Sequence, residues 1–124
     1  ADDRAEAQRR AVDAMETAFL VEPVRGAEVG KSRPVLVVEA DFLLQQGAPT
    51  VVVLPLTSQV RKSKEPLHVT IRARDRLRVD SQVMPEHPRS IDRRRLVQGP
   101  LTALQPAELA AVERSLLAVL GFYR

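Results

Sequence analysis

Arg33 and Thr57 are the residues whose types and settings best suit chemistry. Arg33 precedes Pro34 at the mouth of the apolar run Pro-Val-Leu-Val-Val, and Thr57 closes a second run, Val-Val-Val-Leu-Pro-Leu-Thr. A guanidinium offers five donors in a planar fork that matches two oxygens of a phosphate. A hydroxyl at a strand end can donate to a phosphate oxygen as charge develops in a transition state. If the runs are neighbouring strands joined by a turn, the two groups meet. Glu28 stands upstream in a loop containing Gly26 and Gly30, where a carboxylate can act as general base toward a ribose 2′-hydroxyl. Each residue also has a plain structural reading. Arg33 can pair with Glu28 or Glu39, Thr57 can be a turn hydroxyl bonded to its own backbone, and Glu28 can be a solvated acid.

Charge adds to this pattern. The net charge of +3 conceals an uneven distribution: residues 57–96 carry eleven bases and five acids, while residues 1–22 carry six acids and three bases. A basic middle segment suits a polyanionic partner, although arginines can also simply solvate exposed strands. Ser58 and Gln59 continue from Thr57, and Arg61, Lys62 and Lys64 form a basic loop directly after it. Such loops hold a nucleic-acid backbone without reading its sequence. Glu86, His87 and Arg89 form a second polar group in Pro-Glu-His-Pro-Arg-Ser-Ile-Asp. The histidines, His68 and His87, could in principle exchange protons, but their spacing demands nothing of the kind. With two histidines and no cysteine, neither a metal centre nor a disulfide is expected. No cofactor motif is present. With only Phe19, Phe42, Phe122 and Tyr123 as aromatics, base stacking is not expected to dominate nucleic-acid binding.

The elements that must position these groups follow from hydrophobic periodicity. The length of 124 residues suits one domain with a modest core of valine and leucine. Residues 1–16 read as a helical extension rich in alanine and charge, and residues 17–124 as the domain proper. Strands are predicted over Thr17–Val21, Pro34–Glu39, Thr50–Leu56, His68–Ile71, Ser81–Met84 and His87–Ile91. The second apolar run lacks alternation, so it should be buried on both faces. Residues 22–32 and 41–49 read as a loop and a turn, with Gly47 and Pro49 as punctuation. Gln59–Pro66 reads as a mobile loop, and Asp92–Leu96 as a helical turn. A C-terminal helix should start at Pro106 and stop at Gly121, burying a stripe of Leu109, Val112, Leu116, Val119 and Leu120. Short strands followed by one helix predict a small α+β fold, mainly β and barrel-like. No run approaches the ~20 apolar residues of a membrane helix and no signal-like segment is seen, so a soluble, cytoplasmic protein without membrane contact is expected.

Three ordered pieces resemble the MazF/PemK family, the toxin halves of toxin–antitoxin pairs: Arg-Gly-Ala-Glu-Val-Gly-Lys-Ser-Arg-Pro-Val-Leu-Val-Val, Val-Leu-Pro-Leu-Thr-Ser-Gln, and Asp-Ser-Gln-Val-Met-Pro-Glu-His-Pro-Arg-Ser-Ile-Asp. The resemblance implies a curved, SH3-like barrel with a C-terminal helix, acting as a homodimer. It implies metal-independent, sequence-specific cleavage of single-stranded RNA such as messenger RNA, leaving 2′,3′-cyclic phosphate and 5′-hydroxyl ends. It also implies a cognate antitoxin whose tail fills the dimer groove. The family's catalytic arginine, threonine and loop glutamate fall on Arg33, Thr57 and Glu28. The RNA-binding set expected with them is Ser58, Gln59, Arg61, Lys62, Lys64, Glu86, His87 and Arg89.

Four positions depart from the family pattern. Residues Met15–Val21 replace an Arg-Gly-Asp-aromatic first strand, Ala27 stands for a serine, Leu44 for an asparagine, and His87-Pro88 for Gln-Ile. Histidine lacks glutamine's amide edge for base reading. Two alternatives stay open: a gyrase poison of the CcdB type, which resembles this fold and uses its C-terminal helix surface, and a catalytically dead relative that still binds RNA or antitoxin.

Overall fold

The computed structural model of the chain describes residues 19–21, 33–38, 45–96 and 100–122. The expected helical extension 1–16, the loop 22–32 with Glu28, and Leu44 lie outside the described residues.

The two apolar runs form adjacent antiparallel strands. β2 (Val35–Val37) pairs with β3 (Thr50–Thr57) in the register Val35↔Pro55, Leu36↔Leu54, Val37↔Val53. The approach to β3 turns at Gly47, whose φ of 72° lies in the left-handed region that glycine enters freely. Successive side chains of a strand point to opposite faces, and β3 is apolar on both. Val51 and Val53 join Val35 in one cluster, while Leu54 and Leu56 join Leu36 in the main core. Burying one such side chain contributes about 1.5–3 kcal/mol, so this strand anchors the fold from both sides, as its unbroken apolar pattern predicts.

The sheet runs β4 (Val69–Ile71), β5 (Ser81–Val83), β3, β2, β1 (Phe19–Val21), β7 (Thr102–Ala103), and β6 (Arg89–Asp92) also pairs with β3. β5 and β6 therefore share one edge of β3. β6 takes its first half, ending at Val53↔Arg89, and β5 takes its end, with Leu56↔Val83 and Thr57↔Gln82. Had the β6 ladder continued, Leu56 would face Glu86; it faces Val83 instead, and Met84–His87 bulges out as a turn closed by His87 N–H donating to Met84 O at 3.2 Å. Pro55 stands at this changeover. A proline inside a central strand normally costs a ladder bond, but here the missing N–H falls where one partner strand ends and the next begins. Pro55 O still accepts from Met84 N–H at 2.9 Å. The long strand thus passes from one set of neighbours to another, giving the mainly β, curved architecture with one C-terminal helix that the sequence predicts.

That helix, α1 (Pro106–Val119), begins with proline in its first turn, and Glu108 Oε1 accepts from the Gln105 N–H at 2.8 Å. It buries Leu109 and Val112 in the main core. It ends as expected at Gly121 (φ 83°), where Gly121 N–H donates to Ala118 O at 3.1 Å and Phe122 N–H to Leu117 O at 2.8 Å. This pair of bonds satisfies the last carbonyls in a Schellman arrangement. The buried stripe is shorter than the periodicity predicts. Val119 and Leu120 are exposed at 39% and 54%. Ser115 is buried in their stead and donates to Pro66 O at 2.9 Å.

Candidate active site

Site geometry starts from the β2–β3 register. Leu56 N–H donates to Pro34 O at 3.2 Å, which carries the ladder past the last assigned pair. Counting one residue further sets Arg33 opposite Thr57 on the same face of the sheet. The two side chains line one cleft of about 410 Å³, with Ser58, Gln59, Ser81 and Val79 around them. The meeting expected from two adjacent strands is therefore present. Arg33 is exposed, and neither of its anticipated partners, Glu28 and Glu39, lies within the described residues. Thr57 Oγ1 accepts from the Gln59 N–H at 3.1 Å. That is the turn role anticipated for it, and it leaves the hydroxyl proton to donate elsewhere.

Arg33 also borders a second cleft of about 530 Å³, floored by Val35, Val53, Pro55 and Ile91, with His87, Arg89 and Arg95 at its sides. The expected RNA-binding residues thus divide. Ser58 and Gln59 join Thr57 in the first cleft, while His87 and Arg89 lie in the second. Arg61, Lys62 and Lys64 are exposed on the loop beyond the first cleft and line neither. Arg95 in the second cleft was not singled out from sequence; its run of arginines after Asp92 reads only as a basic turn. Asp92 caps that turn, Lys-free and built from Arg93–Arg95, by accepting from Arg94 N–H at 2.9 Å. The Arg94 side chain, hydrogen-bonded to the same carboxylate, holds Asp92 at about 2.

Glu86 turns inward. His68 is buried, and its Nε2 lies 2.6 Å from Glu86 Oε2. His87 Nε2 stands 3.9 Å from the same oxygen. Burial pushes the Glu86 carboxyl up, but the bond from His68, its own backbone N–H and the charges of both histidines outweigh it and hold it below its ordinary 4.5. His68 Nδ1 and Glu86 Oε1 are buried with no hydrogen-bond partner among the described residues. This pair ties the start of β4 to the turn between β5 and β6.

The loop Gln59–Pro66, read from sequence as mobile, is fastened along its length. It contains a short 3₁₀ turn at Lys62–Lys64. Gln82 Oε1 accepts from Arg61 N–H at 3.2 Å, Thr70 Oγ1 donates to Glu65 Oε2 at 2.8 Å, and Ser115 reaches Pro66 O. Polar composition suggested mobility, but the anchors come from three other elements and cannot be read locally. Among the described residues, no three histidine, aspartate or glutamate side chains cluster as metal ligands, and no helix is long and apolar enough to cross a membrane.

The fold is shared with solved toxins. The Mycobacterium tuberculosis toxin MazF-mt6 superposes with a TM-score of 0.64 at 19% identity, covering 84% of this chain and 95% of that one. An endoribonuclease from a mycobacterial species, in complex with its cognate antitoxin, gives 0.64 at 19% identity, covering 88% and 95%. A MazE–MazF complex from Deinococcus radiodurans gives 0.65 at 24% identity, covering 86% and 95%. A family model described as PemK-like, MazF-like toxin of type II toxin–antitoxin system matches residues 17–120. On this match over most of its length, the chain belongs to the PemK-like, MazF-like toxins of type II toxin–antitoxin systems.

Proposed function

We propose that this toxin is a metal-independent endoribonuclease that cuts single-stranded RNA at Arg33 and Thr57. The observation that carries the reading is the placement of these two side chains opposite each other on one cleft. The nucleophile is the RNA's own 2′-hydroxyl, which attacks the adjacent phosphorus while the 5′-oxygen leaves. The products are a 2′,3′-cyclic phosphate and a 5′-hydroxyl, and DNA, lacking the nucleophile, stays intact. Negative charge spreads over the phosphorane oxygens in the transition state. The Arg33 fork can hold two of them and the Thr57 hydroxyl can donate to another.

A guanidinium keeps its proton in neutral water and so has no free lone pair to act as a base, but it can give that proton to a stronger base, which the leaving 5′-alkoxide is. Arg33 is therefore assigned to charge stabilisation and to protonating the leaving oxygen. Glu28, in the loop before Arg33, is the candidate base. Arg89 in the second cleft, and Arg61, Lys62 and Lys64 on the loop, supply cations for the RNA backbone, with the His87 ring beside Arg89 as a hydrogen-bonding group. The mycobacterial and Deinococcus relatives are complexes with antitoxins. By analogy, a cognate antitoxin binds this chain over the clefts, and the active form is a homodimer.

The test is a labelled single-stranded RNA incubated with the protein in chelator, beside a DNA of the same sequence. Cleavage of the RNA alone, with cyclic-phosphate ends, supports the reading. Activity abolished by chelator and restored by magnesium refutes the mechanism.

A further inference from the structure

Gln82 is fully buried in β5, and nothing assigned to Arg33 and Thr57 explains a polar side chain there. It stands in register with Thr57 on one side and Thr70 on the other, so the three side chains share a face. Its Nε2 donates to Arg61 O at 3.1 Å and to Thr70 Oγ1 at 3.1 Å, and its Oε1 accepts from Arg61 N–H at 3.2 Å. One amide thus holds both backbone groups of a single exposed residue, as a neighbouring strand would. Thr57 Oγ1 meanwhile holds the Gln59 N–H. The chain leaving the cleft is therefore fastened twice, once at Thr57 and once at its cross-strand partner. Burial alone asks for an apolar side chain at this position, as at the neighbouring Val83, and an uncompensated amide is costly to bury. The amide repays that cost only through the Arg61 backbone and Thr70.

We propose that Gln82 is a positioning residue for RNA binding: it fixes the Arg61 peptide, so that the first cation beyond Thr57 is set in advance for the phosphate backbone. This rests on the ribonuclease reading for the nature of the ligand. A guanidinium presented on a fixed backbone loses less freedom on binding than one on a loose loop. Gln82 acts on affinity, and Arg33 and Thr57 on turnover.

Gln82→Leu keeps the side chain buried and removes both Gln82 bonds to the Arg61 backbone, leaving the local turn bond from Lys64 N–H to Arg61 O and, among the described residues, no bond on the Arg61 N–H. The expected result is a rise in KM for single-stranded RNA of about tenfold, the scale of one charged contact, with kcat within about twofold of wild type. Affinity is measured separately on an RNA carrying a 2′-deoxy sugar at the cleavage position, which binds but cannot react. There the slope of log affinity against log salt should fall by about one phosphate contact. Arg61→Gln should give a similar loss, and the double variant should be no weaker than the worse single one, because Gln82 works through Arg61. Additive losses, or an unchanged KM in Gln82→Leu, overturn the proposal. Should that variant unfold, hydrogen exchange of the wild-type Arg61 amide decides: protection supports the clamp, and free exchange overturns it. Wild-type protein that binds RNA without cutting it refutes the nuclease reading alone. Wild-type protein that cuts RNA while Gln82→Leu binds unaltered refutes the clamp alone.

Discussion

Replacing Arg33 with alanine should separate catalysis from stability. The side chain is exposed, and its strand is held to β3 by backbone groups, with Pro34 O accepting from Leu56 N–H. Truncating it leaves that ladder intact, and the unfolding free energy should change by no more than about 0.5 kcal/mol, as for surface positions generally. The chemistry loses far more. Removing one preorganised donor from a transition-state oxyanion costs about 10²–10³ in turnover, about 2.7–4 kcal/mol. The Arg33 fork can serve two oxygens, which places Arg33→Ala at the upper end of that range. Arg33→Lys keeps the charge but loses the planar fork, and should fall between alanine and wild type. The assay is single-turnover cleavage of an end-labelled RNA with protein in excess, so that binding does not limit the rate, alongside thermal unfolding of each variant. Near-full activity in Arg33→Lys would show that a point charge suffices and refute the bidentate role. A loss of cleavage in Arg33→Ala matched by a fall in Tm of several degrees would show that the side chain holds the fold rather than the transition state.

Other outcomes follow from the same structure. Thr57→Val should lower turnover with little change in KM, while Thr57→Ser keeps the hydroxyl that accepts from Gln59 and should retain most activity; the reverse pattern, activity kept in Thr57→Val and lost in Thr57→Ser, would assign the role to the methyl group's packing. Glu28→Gln should flatten the acidic limb of the cleavage pH profile, and an unchanged limb removes Glu28 as the base. The Glu86 carboxyl sits below its ordinary 4.5 in the folded chain, so the stabilisation from its ionised form is full above that value and is lost as pH falls through the folded value. Wild type should therefore lose more Tm than Glu86→Gln on acidification from pH 5 to about 3, and parallel curves would contradict the His68–Glu86 bond as the cause. Deleting residues 1–16 should leave cleavage unchanged, whereas a sharp rise would make that acidic segment an internal competitor of RNA.

What the sequence makes legible is set by how local the cause is. β3 is readable because Val-Val-Val-Leu-Pro-Leu is apolar on both faces, and the stop at Gly121 because only a left-handed residue closes the helix there. The pairing of Arg33 with Thr57 follows once two such strands are taken as neighbours. β7 escapes because Thr102–Ala103 carries no periodicity over two residues; only pairing with β1 makes it a strand. The helix stripe is overextended in sequence, because periodicity marks a face but not how much of it is covered: Val119 and Leu120 stay exposed. Gln82 and the His68–Glu86 pair are invisible for a related reason. A glutamine between serine and valine reads as a neutral strand residue until the loop that needs its amide is folded against it.

β3 carries a further consequence through its neighbours. It is bonded to β2 along one edge and to β6 and then β5 along the other. A strand covered on both edges and both faces exchanges its amides only when much of the domain opens, so it belongs to the cooperative unit that is last to yield. Thr57 is the final residue of that unit, while Arg33 precedes a strand of three assigned residues. The two halves of the cleft therefore differ in how they are held: Thr57 lies inside the β3–β5 ladder, and Arg33 lies before the first pair of β2, a strand itself bonded to β1 and β3. Moving Thr57 breaks its pairing with Gln82, whereas moving Arg33 breaks no strand pair of β2. On the proposed ribonuclease reading, adjustment to an RNA would fall to the arginine, with the threonine as the fixed point.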